Sequence, residues 1–134
     1  MNYWLVKSEP FKYSWADFIK DKWTCWNGVR NYAARNFLKQ MQKGDRVMFY
    51  HSNEGLEIVG FARVIREYYQ DPTTDDPNWV AVDIEPVAKL KTPVSLKQIK
   101  ADKELDKMTL IRRSRLSVMP VAKIEFDRIL RLGN

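Results

Sequence analysis

The sequence predicts an α+β domain, built as a small mixed β-barrel flanked by short helices. Three observations carry that expectation. Runs rich in β-branched and aromatic residues alternate with polar ones at the period of strands, as in Trp79 to Val87. Short helical patterns with their own capping residues lie between those runs rather than in a separate block. The 134 residues suit one compact unit; a chain of that size buries roughly two thirds of its unfolded surface. Residues 1–134 are therefore expected to form a single domain.

Each element follows from local chemistry. Tyr3-Trp4-Leu5-Val6 is a strand that Pro10 ends. Ser14 is an N-cap for a helix to Lys20, with Trp15 and Phe18 on one face. Thr24-Cys25-Trp26 is a brief extended piece closed by the turn dipeptide Asn27-Gly28. Asn31 caps a helix to about Met41, whose apolar stripe is Ala34, Phe37, Leu38 and Met41. Arg46 to Ser52 and Leu56 to Tyr68 form a hairpin about Asn53-Glu54-Gly55. Gly60 marks a bulge or a close backbone approach. Asp71 to Asn78 is a surface loop, and Trp79 to Val87 the next strand. Pro93 and Ser95 open a helix from Leu96 to about Ala101. Val121 to Leu132 is expected to be helical, with Ile124, Ile129 and Leu130 inward and Gly133 as its stop.

Composition narrows the class. A single cysteine, Cys25, rules out an internal disulfide and points to a reducing compartment: the cytoplasm, or the nucleus in a eukaryote. No apolar run approaches the roughly 20 residues of a membrane span, so no membrane partner is expected. The opening MNYWLVKSEP lacks the layout of a signal peptide. One His and one Cys cannot make a zinc site without several carboxylates, so no metal and no cofactor are expected. The five glycines are not clustered into a phosphate loop. Cys25 and His51 offer a nucleophile and a base, but Cys25 lies in an apolar strand, where a thiol serves as a small hydrophobe.

Charge is segregated along the chain. Residues 1–46 carry nine Lys/Arg against four Asp/Glu, residues 47–88 two against eight, and residues 89–115 nine against three. Basic ends around an acidic middle are the footprint of a polyanion partner, or of ordinary solvated faces. Arg30, Arg35, Lys39, Arg112, Arg113 and Arg115 are the candidate phosphate contacts. Among the five tryptophans, Trp4 and Trp15 read as core. Trp26 precedes the polar turn Asn27-Gly28 and the stretch Val29-Arg30-Asn31, and Trp79 follows a polar loop. Aromatics at such junctions suit a flat ring ligand or ordinary packing.

Five blocks in order give a resemblance. Tyr3-Trp4-Leu5-Val6-Lys7-Ser8-Glu9-Pro10 and Trp26-Asn27-Gly28-Val29-Arg30-Asn31-Tyr32, the latter followed by Ala34-Arg35-Asn36-Phe37, resemble the opening and central signatures of EVE domains. Phe49-Tyr50-His51-Ser52, Trp79-Val80-Ala81-Val82-Asp83 and Arg115-Leu116-Ser117-Val118-Met119-Pro120-Val121 complete a match across essentially the whole chain. Ala33 departs from it, where relatives often carry Gln. The resemblance implies a PUA-like fold and kinship with YTH domains, which read N6-methyladenine in an aromatic cage. It implies a non-catalytic module for a modified, flipped-out base, above all a modified cytosine in DNA. It also implies the pocket: Lys7, Ser8 and Glu9 with Trp26, Asn27, Val29 and Arg30, Trp79 as a second cage aromatic, and Leu116-Ser117 on one side.

The residue types fit that task. Flipping a base costs a few kcal/mol, and stacking on an aromatic returns about 1–3 kcal/mol. Ser8, Glu9 and Asn27 carry hydrogen-bonding groups that identify a base edge; Glu9 can equally pair with Lys7 or Lys12. The expected partner is nucleic acid, bound by a monomer. The alternatives are modified or structured RNA such as tRNA, a small metabolite, and a base- or RNA-processing enzyme, for which Glu9 and His51 are the available acid–base groups.

Overall fold

A computed structural model describes all residues, 1–134. In chain order the elements are β1 (Tyr3–Ser8), α1 (Trp15–Asp21), β2 (Thr24–Trp26), α2 (Tyr32–Gln40), β3 (Arg46–His51) and β4 (Glu57–Gln70). Then come β5 (Val80–Ser95), α3 (Leu96–Ala101), α4 (Thr109–Arg112), β6 (Val118–Val121) and α5 (Lys123–Leu132). The strands form one mixed sheet in the order β2-β5-β4-β3-β1-β6, with β1 and β3 parallel and every other pair antiparallel.

Local chemistry sets the helix starts. Ser14 Oγ accepts from Asp17 N and the Asp17 carboxylate accepts from Ser14 N, a reciprocal capping box. Asn31 Oδ1 accepts from Ala34 N, and Ser95 pairs reciprocally with Gln98. Gly60 is a close approach: a Cβ there would lie 2.7 Å from Ala88 O and from the Trp15 ring. That ring sits with Phe18 and Phe49 in the main core, which holds 32 buried side chains. Trp4 is anchored at the other end of the core, its Nε1 donating to the buried Asp45 at 2.9 Å.

Four expectations are corrected. The sheet does not close into a barrel; β2 and β6 remain its two edges. These edges have only three and four residues, too few to lay down a closing ladder. The sheet still curls, because Trp26 of edge strand β2 reaches Phe49 of β3 at 5.7 Å between centroids. Next, β5 runs through Pro86 and Pro93 to Ser95. Proline costs no ladder bond there, since β2 pairs only with Val82, Asp83 and Ile84 and leaves the far half of β5 one neighbour. Val121 ends β6 rather than starting a helix, which begins at Lys123. Finally, Ile124 is 66% exposed, and Phe126 takes the inward place beside Ile129.

Candidate functional site

The gap between the sheet edges is a cavity of about 590 Å³. One wall is the end of β1, Lys7 and Ser8, with Glu9, Lys12 and Tyr13 beyond it. The opposite wall is β2, Thr24 to Trp26, continued by Asn27 to Asn31. Ser117, just before β6, completes the lining, and its carbonyl accepts from Lys7 N. The cavity is thus the seam along which the barrel fails to close.

Two aromatic rings define its interior. Trp26 is half-buried, held edge-on by Phe49 at 5.7 Å and by Tyr13 at 6.5 Å. Tyr13 was not among the sequence candidates, and its signal was weak: an aromatic beside an N-cap serine reads as packing. Its hydroxyl donates to Asp21 at 2.9 Å, and burial first, with Asp21 beside it, pushes its pKa up to about 12. The phenol therefore stays neutral. Ser8 Oγ donates to Tyr13 O at 2.5 Å, leaving its lone pairs as acceptors. Glu9 is at the rim, 3.2 Å from Lys12 Nζ with its side chain 33% exposed. Asn27 is exposed beside Trp26, and Gly28 turns the chain with φ 77°.

A buried carboxylate fixes the lower rim. Asp71 is fully buried and accepts from Gly28 N at 2.8 Å, Arg30 Nη1 at 2.9 Å and Thr73 N at 2.7 Å. Burial works to raise its pKa, but the hydrogen bonds from Thr73, Arg30 and Gly28 outweigh it and hold the group at about 2. Arg30 lies 5.6 Å over the Trp79 ring, and Trp79 meets Tyr32 at 4.9 Å. Arg35 covers Tyr32 at 5.0 Å and donates to Asn36 and to Asn78 O. Trp79 does not line the cavity. It stands in a column of Arg30, Trp79, Tyr32 and Arg35 that buttresses the rim from outside. Val29, 8% exposed, faces the cavity from the same loop.

A second hollow of about 330 Å³ adjoins the first, sharing Asn31 with it. Arg112, Arg113, Ser114, Arg115 and Leu116 line it, and none of the three arginines is in an ion pair. Leu116 is buried and belongs to this hollow rather than to the main cavity. Lys7 ties the two together: its Nζ donates to Ser114 O at 2.7 Å, and burial lowers its pKa. Lys39 lies elsewhere, 5.5 Å over the Tyr68 ring.

The reactive side chains are engaged structurally. His51 Nε2 accepts from Trp15 N at 3.1 Å, so it is the unprotonated ring nitrogen, helping to cap α1; burial lowers the pKa, against a smaller opposing effect of Glu57. Cys25 is half-exposed on the cavity wall rather than buried, with Tyr69 Oη 3.0 Å from its Sγ. No three His, Cys, Asp or Glu side chains cluster as a metal site. No helix is long and apolar enough to cross a membrane.

Comparison with known proteins places this geometry. A family model described as the EVE domain matches residues 2–132. Thymocyte nuclear protein 1 of Mus musculus is 39% identical over 165 residues, spanning 98% of this chain and 73% of that protein. A crystal structure of a protein from Agrobacterium tumefaciens superposes with a TM-score of 0.96 at 46% identity, covering 100% of this chain and 94% of the other. Human THYN1, solved in complex with DNA containing 5-methylcytosine, superposes with a TM-score of 0.92 at 34% identity, covering 100% and 98%. An ASCH protein of Zymomonas mobilis, at 10% identity and a TM-score of 0.57, shares the fold alone.

Proposed function

We propose that this chain, which belongs to the EVE domain family, binds nucleic acid without chemistry and takes one flipped-out base, a 5-modified cytosine in DNA, into the seam cavity. The observation that carries this is the junction at Asn31 of an aromatic cavity with a hollow lined by unpaired arginines. A nucleotide has the same two parts, a flat ring and a phosphate. Trp26 stacks on the ring, worth about 1–3 kcal/mol, which offsets much of a flipping cost of a few kcal/mol. Ser8, Glu9 and Asn27 present acceptors and donors to the base edge, and an acceptor suits an exocyclic amine. Arg112, Arg113 and Arg115 take the adjoining phosphates and position the strand without reading it. The complex of the human relative with DNA containing 5-methylcytosine supports the choice of ligand.

Fluorescence anisotropy with labelled oligonucleotides tests this. DNA with 5-methylcytosine, plain DNA and RNA of the same sequence are titrated at several salt concentrations, and the strands are analysed afterwards. Saturable binding that is tightest for the methylated DNA and weakens with salt, with strands intact, is the expected result. Tighter binding of RNA would move the ligand to that polymer. Released base or cleaved strand in multiple turnovers would make the protein an enzyme.

A further inference from the structure

Flipping one base out of a duplex leaves a gap one base thick, about 3.4 Å along the strand. The flanking pairs lose their stacking, and an apolar side chain inserted there restores the contact. Such a side chain has to be exposed, flat, rigidly held and placed beside the base site. Phe11 meets all four conditions. It is 67% exposed and takes no part in the core. It sits on the turn between Glu9 and Lys12, both of which line the cavity, without lining it itself. We propose that Phe11 is the wedge that enters a DNA duplex beside the flipped base, an inference that rests on the base-binding reading above.

The turn that carries Phe11 is stiff. Pro10 precedes it with a fixed φ. Lys12 N and Tyr13 N both donate to Glu9 O at 2.9 Å. Ser8 Oγ donates to Tyr13 O and ties the base of the turn to the end of β1. Lys12 Nζ lies 6.0 Å from the Phe11 ring centroid, so a cation accompanies the ring onto a polyanion. Exposure alone would decide nothing, because isolated apolar side chains are ordinary on a surface. Position decides. Two other exposed aromatics adjoin residues that line the cavity. Tyr32 follows Asn31, but Trp79 and Arg35 already engage its ring. Trp23 precedes Thr24, but it lies in the two-residue link between α1 and β2, which forms no projecting turn.

Matched DNA oligonucleotides with one 5-methylcytosine, as a duplex paired with guanine and as a single strand, are titrated by anisotropy. The proteins are the wild type, Phe11→Ala, Phe11→Leu and Trp23→Ala, each checked for its fold by circular dichroism. Only the duplex has a gap to fill. Phe11→Ala is expected to weaken duplex binding by about tenfold, within the weight of one aromatic stack, and single-strand binding by less than about twofold. Phe11→Leu keeps an apolar wedge and recovers most of the duplex affinity. Trp23→Ala leaves the ratio of duplex to single-strand affinity at its wild-type value. A wild type that binds neither DNA removes the base site, and the wedge with it. A wild type that binds only the single strand overturns the wedge and leaves the base site standing. So do a Phe11→Ala protein whose two affinities fall equally or not at all, and a duplex-specific loss that follows Trp23→Ala instead.

Discussion

Trp26 ends β2 just before a polar turn, and Trp79 stands just before β5 at the end of a polar loop. Both are half-buried, and by local sequence they are equivalent candidates. The fold separates them. Trp26 is held by the edges of Tyr13 and Phe49 and lines the cavity. Trp79 lies between Tyr32 and Arg30, outside it. The difference originates in Asp71, which pulls the Asn27–Asn31 loop and the Arg30 guanidinium onto the 71–78 loop. One tryptophan is left open to the cavity and the other supports the rim.

Removing Asp71 should break this arrangement most severely. Asp71→Ala leaves Gly28 N and Arg30 without their acceptor, and we expect a loss of about 3 kcal/mol of stability in urea unfolding. The same carboxylate has a pH signature. Its folded pKa, about 2, lies below the ordinary carboxylate value of 3.8. Its contribution is therefore present above about pH 4 and is lost as pH falls toward 2. Acid titration followed by circular dichroism should show that phase in the wild type and not in Asp71→Ala.

The two tryptophans should then differ in binding. Trp26→Ala is expected to cost about 1–3 kcal/mol in affinity for methylated DNA, read by anisotropy, with the fold retained by circular dichroism. Arg113→Ala should lower the salt slope of log affinity by about 0.9 on duplex DNA. It should weaken all sequences alike, by up to roughly tenfold at 0.1 M salt. Trp79→Ala reaches the cavity rim through Arg30, whose exposed cation–π contact is worth about 0.5–1 kcal/mol. Its affinity loss should stay below about fivefold with the salt slope unchanged. Equal losses for Trp26→Ala and Trp79→Ala would erase the distinction.

What the sequence shows and hides follows the same division. Capping is local chemistry, so Ser14 and Asn31 were legible as helix starts, and Gly60 as a point of close approach. Lys7, Ser8, Glu9, Trp26, Asn27, Val29, Arg30 and Ser117 do come together around one cavity. Which residues face one another across the seam is a tertiary property. Tyr13 lies on the cavity and Trp79 off it for reasons that no local pattern carries. The extension of β5 through two prolines was hidden because proline's penalty depends on whether the strand has a second neighbour. The open sheet was hidden because closure depends on edge length, and β6 is short and contains Pro120.

The central claim, that a base enters the seam beside Trp26, is tested most directly by following the five tryptophan indole N–H signals in a two-dimensional NMR titration with 5-methylcytosine DNA. Assigned through single substitutions, the Trp26 signal should move first and furthest. The Trp79 signal should move little, and those of the buried Trp4 and Trp15 hardly at all. A Trp26 signal that stays fixed at saturation while Trp79 shifts would place the ligand outside the cavity and contradict the account.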